Sequence, residues 1–340
     1  IDILDKYYKI TNDIFNDYNL NKLNYYKLLN INNLKIYNTK LIKDINNVIN
    51  SDDVTEIYNY SFDNFYNING EKYIGEIKNG LKEGKGLFYF NKDDKNGRKK
   101  YDGDFKDDKK EGKGILYWSC GDKYEGDFKN NLGEGKAIYY YKNGDRYEGE
   151  WKHGLKEGKG IKYYANGDKY EGDYKQGSRD GKGIFLYNNG DKYEGDYKND
   201  KREGKGKFYF NNGDKYEGDY KNDKKEGQGK FYFNNGDKYE GEYKNDKREG
   251  KGIMYYNNGN KYEGDFKNDK REGKGKFYFK NGDKYEGDYK NDRRDGKGVF
   301  YFNNGIKYVG DFKMGKKEGK GIEYYNNGNR YEGEFKNNYR

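Results

Sequence analysis

The sequence predicts a mainly β protein: an elongated, single-layer antiparallel ribbon of β-hairpin repeats behind a small N-terminal α-helical segment. Three observations carry this expectation. A unit of 23 residues recurs in register, as in GDKYEGDYKNDKREGKGKFYFNN (190–212) followed by GDKYEGDYKNDKKEGQGKFYFNN (213–235). Inside each unit two seven-residue stretches alternate uncharged and charged side chains, the period of a strand. Apolar residues are only 31% of the 340 and charged residues 38%, too lean for one large core. Aromatics at 19% still bury large areas, so such a chain folds where each ring finds a local partner.

Residues 1–69 stand apart, with the first glycine at Gly70. Thr39 followed by Leu41, Ile42, Ile45, Val48 and Ile49 reads as an N-capped helix with one apolar face. Asp53 with Glu56 has capping-box spacing, and Leu20, Leu23, Leu28 and Leu29 suggest another helix. The expectation is a short helical segment that caps the first edge of the array or serves as a separate partner-binding module.

Residues 70–340 form the repeat array. Glycines open units at Gly121 and at every 23rd residue to Gly328. Two earlier units start at Gly70, with an insertion around Asp93 to Arg98, and just ahead of Tyr101. That makes eleven full units and a C-terminal half. With the opening glycine as position one, the first strand covers positions three to nine. It sets Tyr193, Gly195 and Tyr197 on one face and Glu194, Asp196 and Lys198 on the other. The second covers positions fifteen to twenty-one, with Gly204, Gly206, Phe208 and Phe210 opposite Lys205, Lys207 and Tyr209. A five-residue loop, Asn199–Glu203, is expected to join them. An Asn-Gly type I′ turn at Asn211–Asp214 is expected to lead into the next unit. Two strands per unit give a rise of roughly 10 Å and an array on the order of 110 Å.

One sheet layer has nothing above it to cover its aromatics. A ring lying over a cross-strand glycine meets no Cβ and shields backbone that the glycine would otherwise weaken. Position twenty-one is aromatic in all eleven full units, from Phe90 and Trp118 to Tyr325. Where position eighteen is Lys (Lys207, Lys230, Lys276), position nineteen is Phe. Where position nineteen is polar (Lys162, Glu323), position eighteen is Ile. This conserved apolar area marks both as packing positions.

The residues YEG-D/E-F/Y/W, then EGKG, an aromatic pair and a closing NG resemble the MORN repeat (membrane occupation and recognition nexus), over residues 70–340. Departures are few: Ala137 in place of the second GKG glycine, Ile77 in place of the aromatic after YEG, and Ile74 and Val309 in place of its Glu. The resemblance implies an elongated hairpin ribbon. It also implies the company the family keeps: junctional and cytoskeletal scaffolds, ciliary components and regulatory parts of lipid kinases and a methyltransferase. Several members self-associate, and phosphoinositide or membrane binding has been attributed to some.

The residues themselves point away from catalysis. His153 is the only histidine, so a His-based triad or metal site has no partner for it. Cys120 is the only cysteine, which excludes an internal disulfide and fits a reducing, cytoplasmic setting. GKG lacks the following Ser or Thr of a phosphate loop and enters a strand. The repeated carboxylates at positions five, seven and fourteen sit beside lysines and read as cross-strand charge pairs. No cofactor is expected. Net charge is +9, but acids and bases interleave, which argues against nucleic acid.

Three functions remain. The first is a non-catalytic scaffold or adaptor for other proteins, able to form a homo-oligomer through the strand edge of the C-terminal half unit, 328–340. The second is a peripheral module on an anionic membrane surface, its contacts the loop bases Lys201, Arg202, Lys247, Arg248, Lys270, Arg271, Arg293 and Arg294. The third is the regulatory part of a larger enzyme. Each fits a cytoplasmic protein, peripheral to membrane or cytoskeleton in the first two.

Overall fold

Repetition at this length forces neighbour-to-neighbour pairing, and the computed structural model, which describes residues 65–68 and 70–340, shows it. Among the described residues 24 strands, from β1 (Phe65–Ile68) to β24 (Arg330–Phe335), form one sheet. The sheet starts at Phe65, ahead of the Gly70 boundary, where β1 pairs with β2 (Glu71–Lys78). The helices expected within residues 1–64 lie outside the described residues.

One unit stands for the rest. Strands β12 (Lys192–Lys198) and β13 (Lys201–Tyr209) pair antiparallel, with Tyr193 opposite Phe208 and Gly195 opposite Gly206. The next strand, β14 (Lys215–Lys221), continues with Gly206 opposite Gly218 and Phe208 opposite Tyr216. Tyr193 is completely buried. Its ring covers the paired glycines: a Cβ on Gly206 would stand 2.5–2.7 Å from the Tyr193 hydroxyl, Cε2 and Cζ. The hydroxyl donates to the Asp196 carbonyl at 3.0 Å, so the ring buries no orphan polar atom.

The rings form two rows, the first continuous and the second interrupted where position nineteen is not aromatic, as at Lys162 and Met254. Tyr193 meets Tyr197 edge-on at 5.3 Å and Tyr220 of the next unit at 5.2 Å. Phe208 packs on Phe210 at 4.5 Å, and Phe210 reaches Phe231 at 5.8 Å. Both belong to a buried cluster running from Tyr147 to Phe335. Each buried ring removes on the order of 150–250 Å² from water, roughly 4–6 kcal/mol before the entropy of ordering. The core is therefore one face of a single layer.

The turns correct the expectation. The five-residue loop is a two-residue turn, Asn199–Asp200, with φ of 47° and 67°. Both residues are left-handed, so the type I′ turn lies here, at Asn-Asp. At the Asn-Gly site only Gly213 has positive φ, at 91°, and its N–H bonds to the Phe210 carbonyl at 3.0 Å. Phe210 N–H in turn bonds to the Asp214 carbonyl at 3.0 Å, making a three-residue hairpin that ends in a bulge. The strand after the first turn begins at Lys201 rather than Gly204. Register shifts between Gly195 and Tyr197, opposite Glu203–Lys205, and Gly204 sits in that irregularity with φ 70°. Gly204 is exposed, so positive φ rather than a ring above it accounts for this glycine. Tyr193, Tyr197, Gly206, Phe208 and Phe210 do lie on the ring side as expected.

Candidate functional site

The ring face is already occupied by the chain itself. In eleven of the twelve units a Lys or Arg at position thirteen stands over the rings. Arg202 stacks over Tyr193, Phe208 and Tyr220 at 5.5, 5.7 and 5.2 Å. Its guanidinium also donates to the Asp223 carbonyl at 2.7 Å and pairs with the Asp223 carboxylate at 3.3 Å. Arg248 and Arg271 repeat this on Asp269 and Asp292, and Arg294 bonds to the Gly315 carbonyl at 2.7 Å. The structure thus separates the paired bases read from the sequence. Arg202, Arg248, Arg271 and Arg294 are strand residues covering rings, whereas Lys201, Lys247, Lys270 and Arg293 are exposed beside the two-residue turns. Lys201, Lys247 and Lys270 reach only the Asn side chain of the next turn, at 3.3–3.4 Å.

Burial tunes the groups on the ring face. The Tyr193, Tyr197 and Tyr220 hydroxyls are all pushed well above the usual phenol range, chiefly by burial. Lys110, 6% exposed, and Lys156 are pulled down to about 8, burial again leading. At Glu323 burial acts upward, but hydrogen bonds from Lys317, Arg340 and Tyr325 outweigh it and hold the carboxyl low.

The opposite face is open. Two stretches of groove run along it, each about 1620 Å³. One is lined from Lys85 to Gly218, the other from Lys205 to Glu334, and both share Lys205, Glu217 and Gly218. The floor is the backbone of the glycine pairs, because their rings lie on the other side. Positions five, seven, sixteen and eighteen supply the lining. Most of its charges are internally matched: Lys205 with Asp219 at 2.5 Å, Lys230 with Glu240 at 3.1 Å, Lys276 with Glu286 at 3.2 Å. The cross-strand pairs read from positions five and seven are therefore present. Position fourteen differs: Glu203 accepts the Asn222 N–H at 2.9 Å, fixing one turn to the next. Position eighteen varies most. It is Ile115, Ile138, Ile161 and Ile184 through four successive units, then Lys207 and Lys230. These isoleucines are partly open, Ile184 at 37%. The sequence read position eighteen as packing, and the structure makes it groove lining. Alternation showed which face it occupies, but not that this face forms a groove.

Among the described residues no three His, Cys, Asp or Glu side chains group to hold a metal ion. His153 is exposed in a two-residue turn with φ 51°, its ring nitrogen 3.8 Å from Glu134. Cys120 is free and exposed. Among the described residues no helix is long and apolar enough to cross a membrane.

The MORN-repeat family profile matches twelve consecutive units: residues 73–95, 101–123 and then 124–340 without a break. No curated protein matches the chain. Among solved structures, similarity extends to the G-box domain of the microcephaly protein CPAP (12% identity, 59% of this chain and 100% of that one, TM-score 0.29). It extends also to a mutant TCP10 domain of Danio rerio CPAP (12%, 65% and 99%, TM-score 0.31). A third is the SAS-4 TCP domain of Drosophila melanogaster, solved with a proline-rich motif of Ana2 (15%, 58% and 88%, TM-score 0.24).

Proposed function

The chain belongs to the MORN-repeat family, and from that premise we propose that it is a non-catalytic scaffold that holds an elongated segment of a partner protein in its groove. The observation that carries this reading is the aliphatic row Ile115, Ile138, Ile161 and Ile184 on the groove lining. Successive members lie two strands apart, roughly 10 Å. A partner fits that row if it presents an apolar side chain every third residue as a polyproline-II segment, or every seventh when helical. Modest contacts repeated along the row add by multivalency, which suits a lining whose charges are already paired.

The test places a photo-cross-linking amino acid at Ile161 or at Lys201 in the full chain, in cells. Discrete protein adducts from position 161, lost on Ile138→Glu with Ile184→Glu, support the reading. Adducts from position 201 alone overturn it.

A second reading has its own observation. Six consecutive turns, from Asn199–Asp200 to Met314–Gly315, each carry two exposed bases, as Lys198 with Lys201 and Lys313 with Lys316. A basic residue at an anionic surface contributes about 1 kcal/mol, so this rim suits a peripheral contact. Flotation on phosphatidylserine vesicles, abolished by Ser at Lys201, Lys247, Lys270 and Arg293, favours it. Flotation unchanged by those substitutions removes it.

A further inference from the structure

Six hairpins in series set like charges against each other across their turns. Lys198 stands directly opposite Lys201, Lys221 opposite Lys224, and the pattern runs on to Lys313 opposite Lys316. Residues opposed in this way have Cα atoms about 4.5–5.5 Å apart, where like charges destabilise a sheet. All twelve bases are exposed, and among the described residues none makes an ion pair. The carboxylates nearby are taken: Asp223 and Asp269 hold Arg202 and Arg248, and Glu203 accepts the Asn222 N–H at 2.9 Å. The fold itself therefore leaves this repulsion uncompensated.

The stripe has a definite start and a definite side. Position twelve is Leu132, Leu155 and Ser178 in the three units before it, opposite Lys129, Lys152 and Lys175. From Lys201 onward it is basic in every unit to Lys316. Position eighteen turns from Ile184 to Lys207 at the same unit. Among the described earlier units only Lys106 opposite Lys109 repeats the like-charge pair, apart from the series. The side follows from alternation. Tyr197 and Arg202 are opposed on the ring face, so Lys198 and Lys201, one residue nearer the turn on each strand, point to the groove face. The turn tip between them is Asn199–Asp200, and an aspartate recurs there as Asp223, Asp246, Asp269 and Asp292.

We propose that these six base pairs receive an acidic stretch of a partner polypeptide laid along the groove side of the turns. A carboxylate between two opposed cations relieves their repulsion and attracts both, so each turn offers a two-point site. The sites recur at steps of roughly 10 Å over about 50 Å, a line that one chain can follow. A lipid surface approaching tip-on meets the row of aspartates first, whereas a chain approaching from the groove side meets the bases first. The contact is separate from the isoleucine row and does not depend on it.

The test titrates the full chain against a fluorescein-labelled oligoglutamate of about 16 residues, long enough when extended to follow the stripe, and reads anisotropy. Saturable binding is expected, weakening as salt rises. Replacing Lys201, Lys224, Lys247 and Lys270 with Ser should raise the apparent Kd at least about tenfold. A matched control replaces Lys78, Lys129, Lys152 and Lys175 with Ser. These are equally exposed but face Leu or Ser across their turns, and the control should shift the Kd by less than about twofold. Circular dichroism matching wild type shows that both variants have folded. Equal weakening in the two variants reports net charge alone and overturns the proposal, as does binding that never saturates. Tighter binding of an oligothymidylate of matched length overturns the polypeptide assignment. So does flotation on phosphatidylserine vesicles that the first variant loses while oligoglutamate fails to bind.

Discussion

The unit around Gly133 carries two departures at once, and their link is testable. At position seventeen Ala137 replaces the glycine that a tyrosine ring normally covers. Tyr124 has moved off it: a Cβ on Gly133 would stand 2.8–3.0 Å from the Tyr124 hydroxyl, Cζ and Cε2. The ring lies over residue 133, and its hydroxyl still donates to the Asp127 carbonyl, at 2.8 Å. Ala at position seventeen is thus accommodated only where position thirteen has no side chain. The perturbation transfers this pair to an ordinary unit as Gly206→Ala and Arg202→Gly. Gly206→Ala alone drives a methyl into the Tyr193 ring, with no free space on the Arg202 side, and should cost about 1–3 kcal/mol by overpacking. Arg202→Gly alone loses its stacking over three rings and adds backbone freedom, about 1–2 kcal/mol. In the double variant Tyr193 can step aside as Tyr124 does, so the cost should fall below the sum by about 1–2 kcal/mol. Repeat arrays do not unfold as one two-state unit, so the readout is native-state hydrogen exchange of the β12 and β13 amides. Additivity within about 0.5 kcal/mol would refute the coupling.

Two other outcomes follow from single residues. Lys110 is held at about 8, below its ordinary value, so its folded form is penalised while charged and the penalty is fully present below pH 8. Lys110→Met should therefore stabilise the first units by about 1–3 kcal/mol at pH 7. That gain should shrink as pH rises through about 8 towards 10, where the folded lysine has shed its proton first; denaturation at both pH values checks it. Met314 occupies a left-handed turn position at φ 48°, where most other turns have Asn, and is 61% exposed. Met314→Asn should stabilise its turn by roughly 0.5–1 kcal/mol, read as slower exchange of the neighbouring amides, and unchanged exchange would contradict it.

Much of the fold is legible because the pattern has a short period. Alternation alone puts Tyr193 and Tyr197 on one face, and the need to cover a one-layer sheet explains Gly206. The turns were misread because Asn-Gly is the stronger local signal, yet Gly213 serves a three-residue turn and Asn199–Asp200 takes the two-residue one. That exchange hid the cation layer. Continuing the strand back to Lys201 puts Arg202 at the same parity as Gly206 and Phe208, on the rings; read as loop, it looked free for a membrane. The Gly133–Ala137 link could not be read at all. It depends on where one ring lies, and a ring displaced by one methyl leaves no periodic trace.

The distribution of roles between the faces has a mechanical basis. Rings and cations on one side bury nearly all the area that orders the array, so the groove lining is relieved of that task. Position eighteen shows the consequence. It changes from Ile184 to Lys207 between adjacent units, while the rings behind both, Tyr170 and Tyr193, stay fully buried. A lining that carried the fold could not exchange an aliphatic side chain for a charge without burying that charge or opening a cavity. Here the lysine simply extends along the groove, Lys207 coming within 3.8 Å of Glu217. One scaffold can therefore present an aliphatic stretch and a lysine-bearing stretch in series. Under the proposed function, the order of those stretches, rather than any single residue, sets which partner segment fits and in which direction it lies.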